Sequence, residues 1–330
     1  MREIARWAEI QARFHHSLIV GNGGSIAIHR GFSYASLFEA ARQEGHVTDE
    51  MIEIFNAFGV NDFELVLRLL WQATLVNRAL KIDAGRVEDA YQRVRSALIE
   101  TVRSTHVSYE GAMPHLTKLY RFMCRFETVI SLNYDLIVYW AAMLGNRDEL
   151  GRWFKDGFQR GQFRGDWEAL REPFGAKGTT MFFYPHGNLV LARKVDGMEY
   201  KISAGNDQDL LETILATWQE GESVPLFVCE GTSEHKKTAI GSSRYLQTVA
   251  TEPLRTLGES VTIYGWSIGI QEHHIIEQLQ RSRPERVAVS VHDNDQRFAE
   301  HAADVLVGIG VKEVVFFDSA SPGCWNNDED

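Results

Sequence analysis

Apolar runs of four or five residues recur along the chain, separated by segments with helical patterning. The first, Ser17–Gly21, ends in Gly-Asn-Gly-Gly-Ser and predicts a buried strand entering a tight turn. Further runs at Thr128–Leu132, Thr180–Tyr184, Pro225–Cys229, Val261–Tyr264, Val287–Val291 and Val314–Phe317 predict strands. Asn188–Ala192 and Glu199–Ser203 flank Asp196-Gly197, a hairpin signal. Apolar positions at helical spacing (Leu65, Leu69 and Leu70, then Val94, Leu98 and Val102) predict helices over most of Asp49–Thr105, with a break near Asp83–Gly85. Tyr34–Gly45, Asp209–Glu220, Glu272–Arg281 and Asp295–Val307 read as further helices. Continuous Val/Ile/Phe strands alternating with helices predict an α/β fold: a Rossmann-like parallel sheet of about six strands, covered by helices on both faces. Residues 1–45 begin this domain, 46–120 form a helical insertion and 121–330 complete it, with a loop-rich insertion at 145–178 and a hairpin at 188–203. The polar tail Asn326–Asp330 is expected to fray.

Composition narrows the partners. The chain has 330 residues, with Lys+Arg 34 against Asp+Glu 45, a formal charge of −11 that disfavours direct nucleic-acid binding. The cysteines, Cys124, Cys229 and Cys324, are far apart and form no C-x-x-C, so a Cys-only zinc site and a disulfide framework are both excluded. The charged N-terminus has no apolar segment typical of a signal peptide. No apolar run approaches the roughly 20 residues of a membrane span. A cytoplasmic protein that does not enter membranes is expected.

In a parallel sheet, ligands bind beyond the carboxyl ends of the strands, near the point where strand order reverses. The residues following each strand are therefore the candidates. Gly21, Gly23, Gly24 and Ser25 form a turn that can approach a pyrophosphate, or one that merely joins strand to helix. It is neither a G-x-G-x-x-G fingerprint nor a P-loop. Asn133 and Asp135 follow a strand and read either as an amide and carboxylate facing a ligand or as a turn and helix cap. His186, before Gly187, reads as a general base or as the start of the hairpin. Glu230-Gly231, His292-Asp293 and Asp318-Ser319 follow other strands. Gly265-Trp-Ser267-Ile-Gly269 matches the G-x-S-x-G of an esterase elbow, but no histidine follows the last strand to complete a triad. His15-His16 and His273-His274 are sequence neighbours that diverge on a helix, and Glu272–His274 reads as a solvated helix start.

Taken in order, "GNGGSIAIHRGFSYASLFEAA", "SLNYDLIVYW", "FYPHGNLVLA" and "YGWSIGIQEHHI" resemble the sirtuin family, and within it the bacterial branch that lacks a zinc module. The resemblance covers essentially the whole α/β part. It implies NAD as the bound molecule. Gly21, Gly23, Gly24 and Ser25 match the turn at the NAD phosphates, and Gly265 and Ser267 match the late turn on the adenosine side. Asn133 matches the residue that positions a water or the ribose, Asp135 the one near the nicotinamide amide, and His186 the base acting through the ribose hydroxyls. Residues 188–220 contain no cysteine, so the four-Cys zinc module of deacetylating sirtuins has no counterpart, and protein deacetylation is put in doubt. The implied activity is NAD hydrolysis to nicotinamide and ADP-ribose, as in zinc-free relatives that act as effectors in bacterial antiphage defence. An NAD or ADP-ribose sensor and an ADP-ribosyltransferase are the alternatives. A homo-oligomer or a regulatory protein partner fits either activity.

Overall fold

A computed structural model of the chain describes residues 1–33, 36–172, 177–194, 196–228 and 232–329. The predicted Glu230-Gly231, Cys229 and the first residues of the Tyr34–Gly45 segment, Tyr34 and Ala35, lie outside the described residues.

Thirteen strands are formed by the described residues. They are β1 (Ile4–Ala5), β2 (Ser17–Val20), β3 (Thr128–Ser131), β4 (Trp153–Lys155), β5 (Phe158–Gln159), β6 (Gln162–Phe163), β7 (Thr179–Phe183), β8 (Gly187–Lys194), β9 (Glu199–Lys201), β10 (Ser223–Phe227), β11 (Ser260–Tyr264), β12 (Arg286–Val291) and β13 (Glu313–Asp318). Eight of them make one sheet in the order β1-β13-β12-β11-β2-β3-β7-β4, with every pairing parallel. The fold is α/β as predicted, with eight strands rather than about six. The additions are short edge strands, β1 and β4, of two and three residues. Such strands are too brief to carry a readable hydrophobic run.

One predicted strand lies elsewhere. Ser223–Phe227 pairs antiparallel with β8, in a separate three-stranded sheet ordered β10-β8-β9. Pro225 supplies no N–H, which suits an edge strand and not the interior of the main sheet. The hairpin β8–β9 is present, with Gly197 at φ 88 closing its turn.

The insertion folds as four helices, Asp49–Phe58, Phe63–Ala79, Gly85–Thr105 and Tyr109–Met123. Thr48, Asp62 and Ser108 start three of them by accepting a hydrogen bond from the amide three residues on, and Gly59 at φ 65 ends the first. These caps satisfy backbone groups that the helix ends leave open. The helix Phe63–Ala79 packs against β10, and Gly85–Thr105 packs against the helix Leu210–Glu220.

The polar tail starts at an anchor, and its last described residues, Asp328 and Glu329, are exposed. Trp325 is buried among Phe122 and Tyr264, and its indole N–H donates to the carbonyl of Gly24 at 2.8 Å. Asn326 donates to Ala27 O, and Lys118 pairs with Asp328. One large aromatic ring in the core holds the start of a tail whose polar composition alone reads as loose.

Candidate functional site

Register brings the candidate segments side by side. Val20 pairs with Ser131 of β3 and with Tyr264 of β11, so Gly21, Leu132 and Gly265 emerge at one level. β2 is also where strand order reverses, since β3 and β7 lie to one side and β11, β12 and β13 to the other. A cleft of about 1470 Å³ opens there. That is more than the roughly 300–1,000 Å³ of an ordinary small-molecule site. Of the predicted residues, Gly21, Gly23, Asn133, Asp135, His186, Gly265 and Ser267 line it, together with Gly59–Asn61 of the helical insertion. Gly24 and Ser25 do not. They are buried behind the wall, Gly24 against Val20 and Trp325.

The glycine bend serves first to let two chain segments cross. A Cβ on Gly21 would sit 2.6 Å from the Trp266 Cα, and one on Gly23 2.8 Å from the Gly265 Cα. Gly265, at φ 64, would place its own Cβ 2.3 Å from the Gly24 nitrogen. The amides of Gly21 and Gly23 donate to Tyr264 O at 2.9 Å and Gly265 O at 2.7 Å. Those two N–H groups are spent within the protein. Gly21 and Gly23 therefore meet the cleft as its wall, with their amides turned to the neighbouring loop.

Asn133, Ser25 and Asp135 form one buried unit. The Asn133 amide donates to Gly21 O at 3.0 Å and to the Ser25 hydroxyl at 2.8 Å. Ser25 in turn donates to Asp135 Oδ2, while Asp135 Oδ1 accepts at 2.9 Å from the amide of Ile137, the first residue of the helix Ile137–Arg147. Both readings of Asp135 therefore coexist: it is a turn residue, and it sits at the cleft. Burial pushes its carboxyl up from the ordinary value, against the lowering effect of the Ser25 and Ile137 hydrogen bonds. The Asn133 carbonyl oxygen takes no part in these bonds.

His186 is held from several sides. Its main-chain carbonyl accepts from Val228 N–H at 2.6 Å, and Gly187 (φ 76) leaves room for β10, since a Cβ there would lie 2.1 Å from Leu226 O. Its Nδ1 lies 3.3 Å from Leu132 O and its Nε2 2.8 Å from His274 Nε2. Burial, and then the charge of Lys236, hold the His186 imidazole well below its usual range. Glu272 stands beside it, with Oε1 3.9 Å from His186 Nδ1 and 3.5 Å from Lys236 Nζ, and its Oε2 accepts from the Trp266 indole.

Sequence reasoning missed Glu272, His274 and Lys236. His273 is solvated as expected, but His274 is buried and Glu272 faces the cleft. A signal existed: Glu272 shares a helical stripe with the buried Ile275, Ile276 and Leu279, as Lys236 does with Ala239 and Ile240. Arg30, also missed, lines the cleft with no ion pair among the described residues.

Ser267 is exposed and has no hydrogen-bond partner among the described residues, and the left-handed residues of this turn are Gly265 at φ 64 and Ile268 at φ 53. An esterase elbow puts the strain on the serine and an imidazole beside it. Neither is present among the described residues, and His301 instead contacts Ile268 O.

The chain belongs to the family described as Domain of unknown function (DUF4917), whose model matches residues 18–325. The match runs from β2 to Trp325, and so spans every element that builds the cleft. No curated protein matches the chain. Among the described residues, no helix is long and apolar enough to cross a membrane.

Proposed function

We propose that the chain is an NAD-cleaving hydrolase, sirtuin-like in its reaction, that converts NAD to nicotinamide and ADP-ribose. The observation that supports this most is the convergence of the Asn133 amide, the His186 imidazole and the Gly21–Gly265 crossing on one large cleft at the reversal point of a parallel sheet. Nicotinamide leaves NAD as a neutral group from a cationic ring, through an oxocarbenium-like state resembling that of glycoside hydrolysis. Such a departure needs no acid. It needs the ribose held, bulk water excluded and one hydroxyl or water positioned. Asn133 offers a carbonyl oxygen for orientation, His186 takes the proton, and Arg30 attracts the anionic phosphates. Asp135 and Ser25 fix Asn133. In this reading the protein depletes NAD, the role in antiphage defence that the sequence resemblance implies.

Nicotinamide release by the purified chain tests the proposal. His186→Ala and Asn133→Ala are each expected to lower kcat by about 100-fold or more. Cleavage untouched by both removes these residues from the reaction. Label passing from NAD to a macromolecule instead of to water redirects the assignment to ADP-ribosyl transfer.

A second reading, a sensor that binds NAD or ADP-ribose without turnover, is favoured by one feature. Both Asn133 amide hydrogens, both Asp135 oxygens and both His186 nitrogens already have partners inside the protein. Thermal stabilisation by NAD, with the dinucleotide recovered intact, identifies the sensor.

A further inference from the structure

We propose that His274 and Ser233 form, with His186, a proton relay leading from the cleft to solvent, in which His274 is a positioning residue acting through His186. The inference rests on the NAD-cleaving reading, because it assigns the path of a proton removed at that site.

The hydrogen-bond geometry orients the chain. A carbonyl oxygen only accepts, so the Leu132 O contact at 3.3 Å places a hydrogen on His186 Nδ1. In the neutral ring Nε2 is then the acceptor, and its partner at 2.8 Å, His274 Nε2, must donate. His274 Nδ1 is left as an acceptor and meets the Ser233 hydroxyl at 3.2 Å. Ser233 Oγ also accepts the main-chain N–H of His274 at 3.1 Å, which fixes the ring over the hydroxyl. Both imidazoles are buried, whereas Ser233, in the first turn of the helix Ser233–Gly241, is half-buried.

Burial and the cationic Lys236 disfavour a charged ring and outweigh the Glu272 carboxylate beside His186. Lys236 and Glu272 face His186, and Lys236, Lys237 and His273 act on His274. Burial and then Lys236 push His274 down to about 3. A relay between tautomers moves a proton while keeping both rings neutral.

The step balances. Before a ligand fills the cleft, the rings reach the opposite tautomers by exchange with water. The Ser233 proton passes to His274 Nδ1 and water replaces it, His274 Nε2–H passes to His186 Nε2, and the His186 Nδ1 proton is released to cleft water. A ligand hydroxyl that donates to His186 Nδ1 then holds hydrogens on His186 Nε2 and His274 Nδ1. The ligand O–H bond breaks as His186 Nδ1–H forms. The His186 Nε2–H bond breaks as His274 Nε2–H forms. The His274 Nδ1–H bond breaks as a new Ser233 Oγ–H forms, and the former Ser233 proton passes to water. One proton leaves the ligand, one reaches solvent, and the rings end in the tautomers of the resting structure.

Two measurements on the full chain test this. Nitrogen-15 NMR of the labelled protein is expected to show His186 as the Nδ1–H tautomer and His274 as the Nε2–H tautomer; either ring in the other form, or charged at pH 7, overturns the relay. In nicotinamide-release kinetics, His274→Gln keeps a donor to His186 but transmits no proton. It is expected to lower kcat about 100-fold at unchanged KM and to turn a curved proton inventory in mixed H2O/D2O into a straight one. A kcat within twofold of wild type overturns the relay. Failure of the wild-type protein to release nicotinamide defeats the NAD reading instead, and the tautomers then decide the relay alone.

Discussion

The side-chain amide of Asn133 donates to the hydroxyl of Ser25 at 2.8 Å, and Ser25 passes its own hydrogen to Asp135. This contact ties the loop after β3 to the bend after β2 from behind the cleft wall. Ser25 is 1% exposed, so neither partner can replace it with water. Ser25→Ala is expected to destabilise the protein by about 1–3 kcal/mol, the usual cost of stranding buried polar groups. Urea unfolding at pH 7 measures it. A loss below about 0.5 kcal/mol, the range of ordinary surface substitutions, would show that the unit is not holding the wall.

Gly265 is constrained twice, by its φ of 64 and by the Gly24 nitrogen 2.3 Å from where a Cβ would stand. Gly265→Ala therefore forces apart the crossing of the β2 and β11 loops. The expected cost is about 1–3 kcal/mol from backbone strain alone, with displacement of Gly23 adding to it. Gly308→Ala, where nothing lies within 4 Å, is the control and is expected to be harmless. Equal thermal midpoints for the two variants would refute the crossing as the reason for the glycine.

Glu64 is 2% exposed in the first turn of the helix Phe63–Ala79, close to the buried Asp62. Burial pushes its carboxyl up, and the Asp62 charge raises it further. The folded state thus binds more protons than the unfolded chain, and the contribution to stability is present below the ordinary value of 4.5 and lost as pH rises through the raised one. Glu64→Gln is expected to gain at least about 1 kcal/mol over wild type at pH 8 relative to the difference at pH 4, equivalent to one pK unit of linkage. Urea midpoints at the two pH values give the answer, and a pH-independent difference between the proteins sinks the prediction.

Much of the layout was legible from local pattern. Leu18–Val20, Val129–Ile130 and Val287–Val289 are buried on both faces, and a strand so placed is apolar at consecutive positions. The position of Asn133 and His186 at strand ends followed directly. Pro225–Cys229 misled because its apolar run reads like a central strand, although its proline marks an edge, as the antiparallel pairing with β8 shows. His274 misled because its neighbour His273 is solvated, and a dipeptide does not say which of two adjacent residues turns inward.

By itself the sequence determined the element types, the parallel α/β class and the segments that carry glycine, amide and imidazole groups, because burial imprints a short-range period on the chain. Tertiary structure alone decided which of those segments meet. Ser25 reaches Asn133 across 108 residues, and His186 reaches His274 across 88. It also decided that the amides of Gly21 and Gly23 serve the chain crossing and that Glu272, His274 and Lys236 join the site. The reason is physical: strand order and register fix contacts between distant residues, and no local pattern records the partner that a side chain finds on another strand.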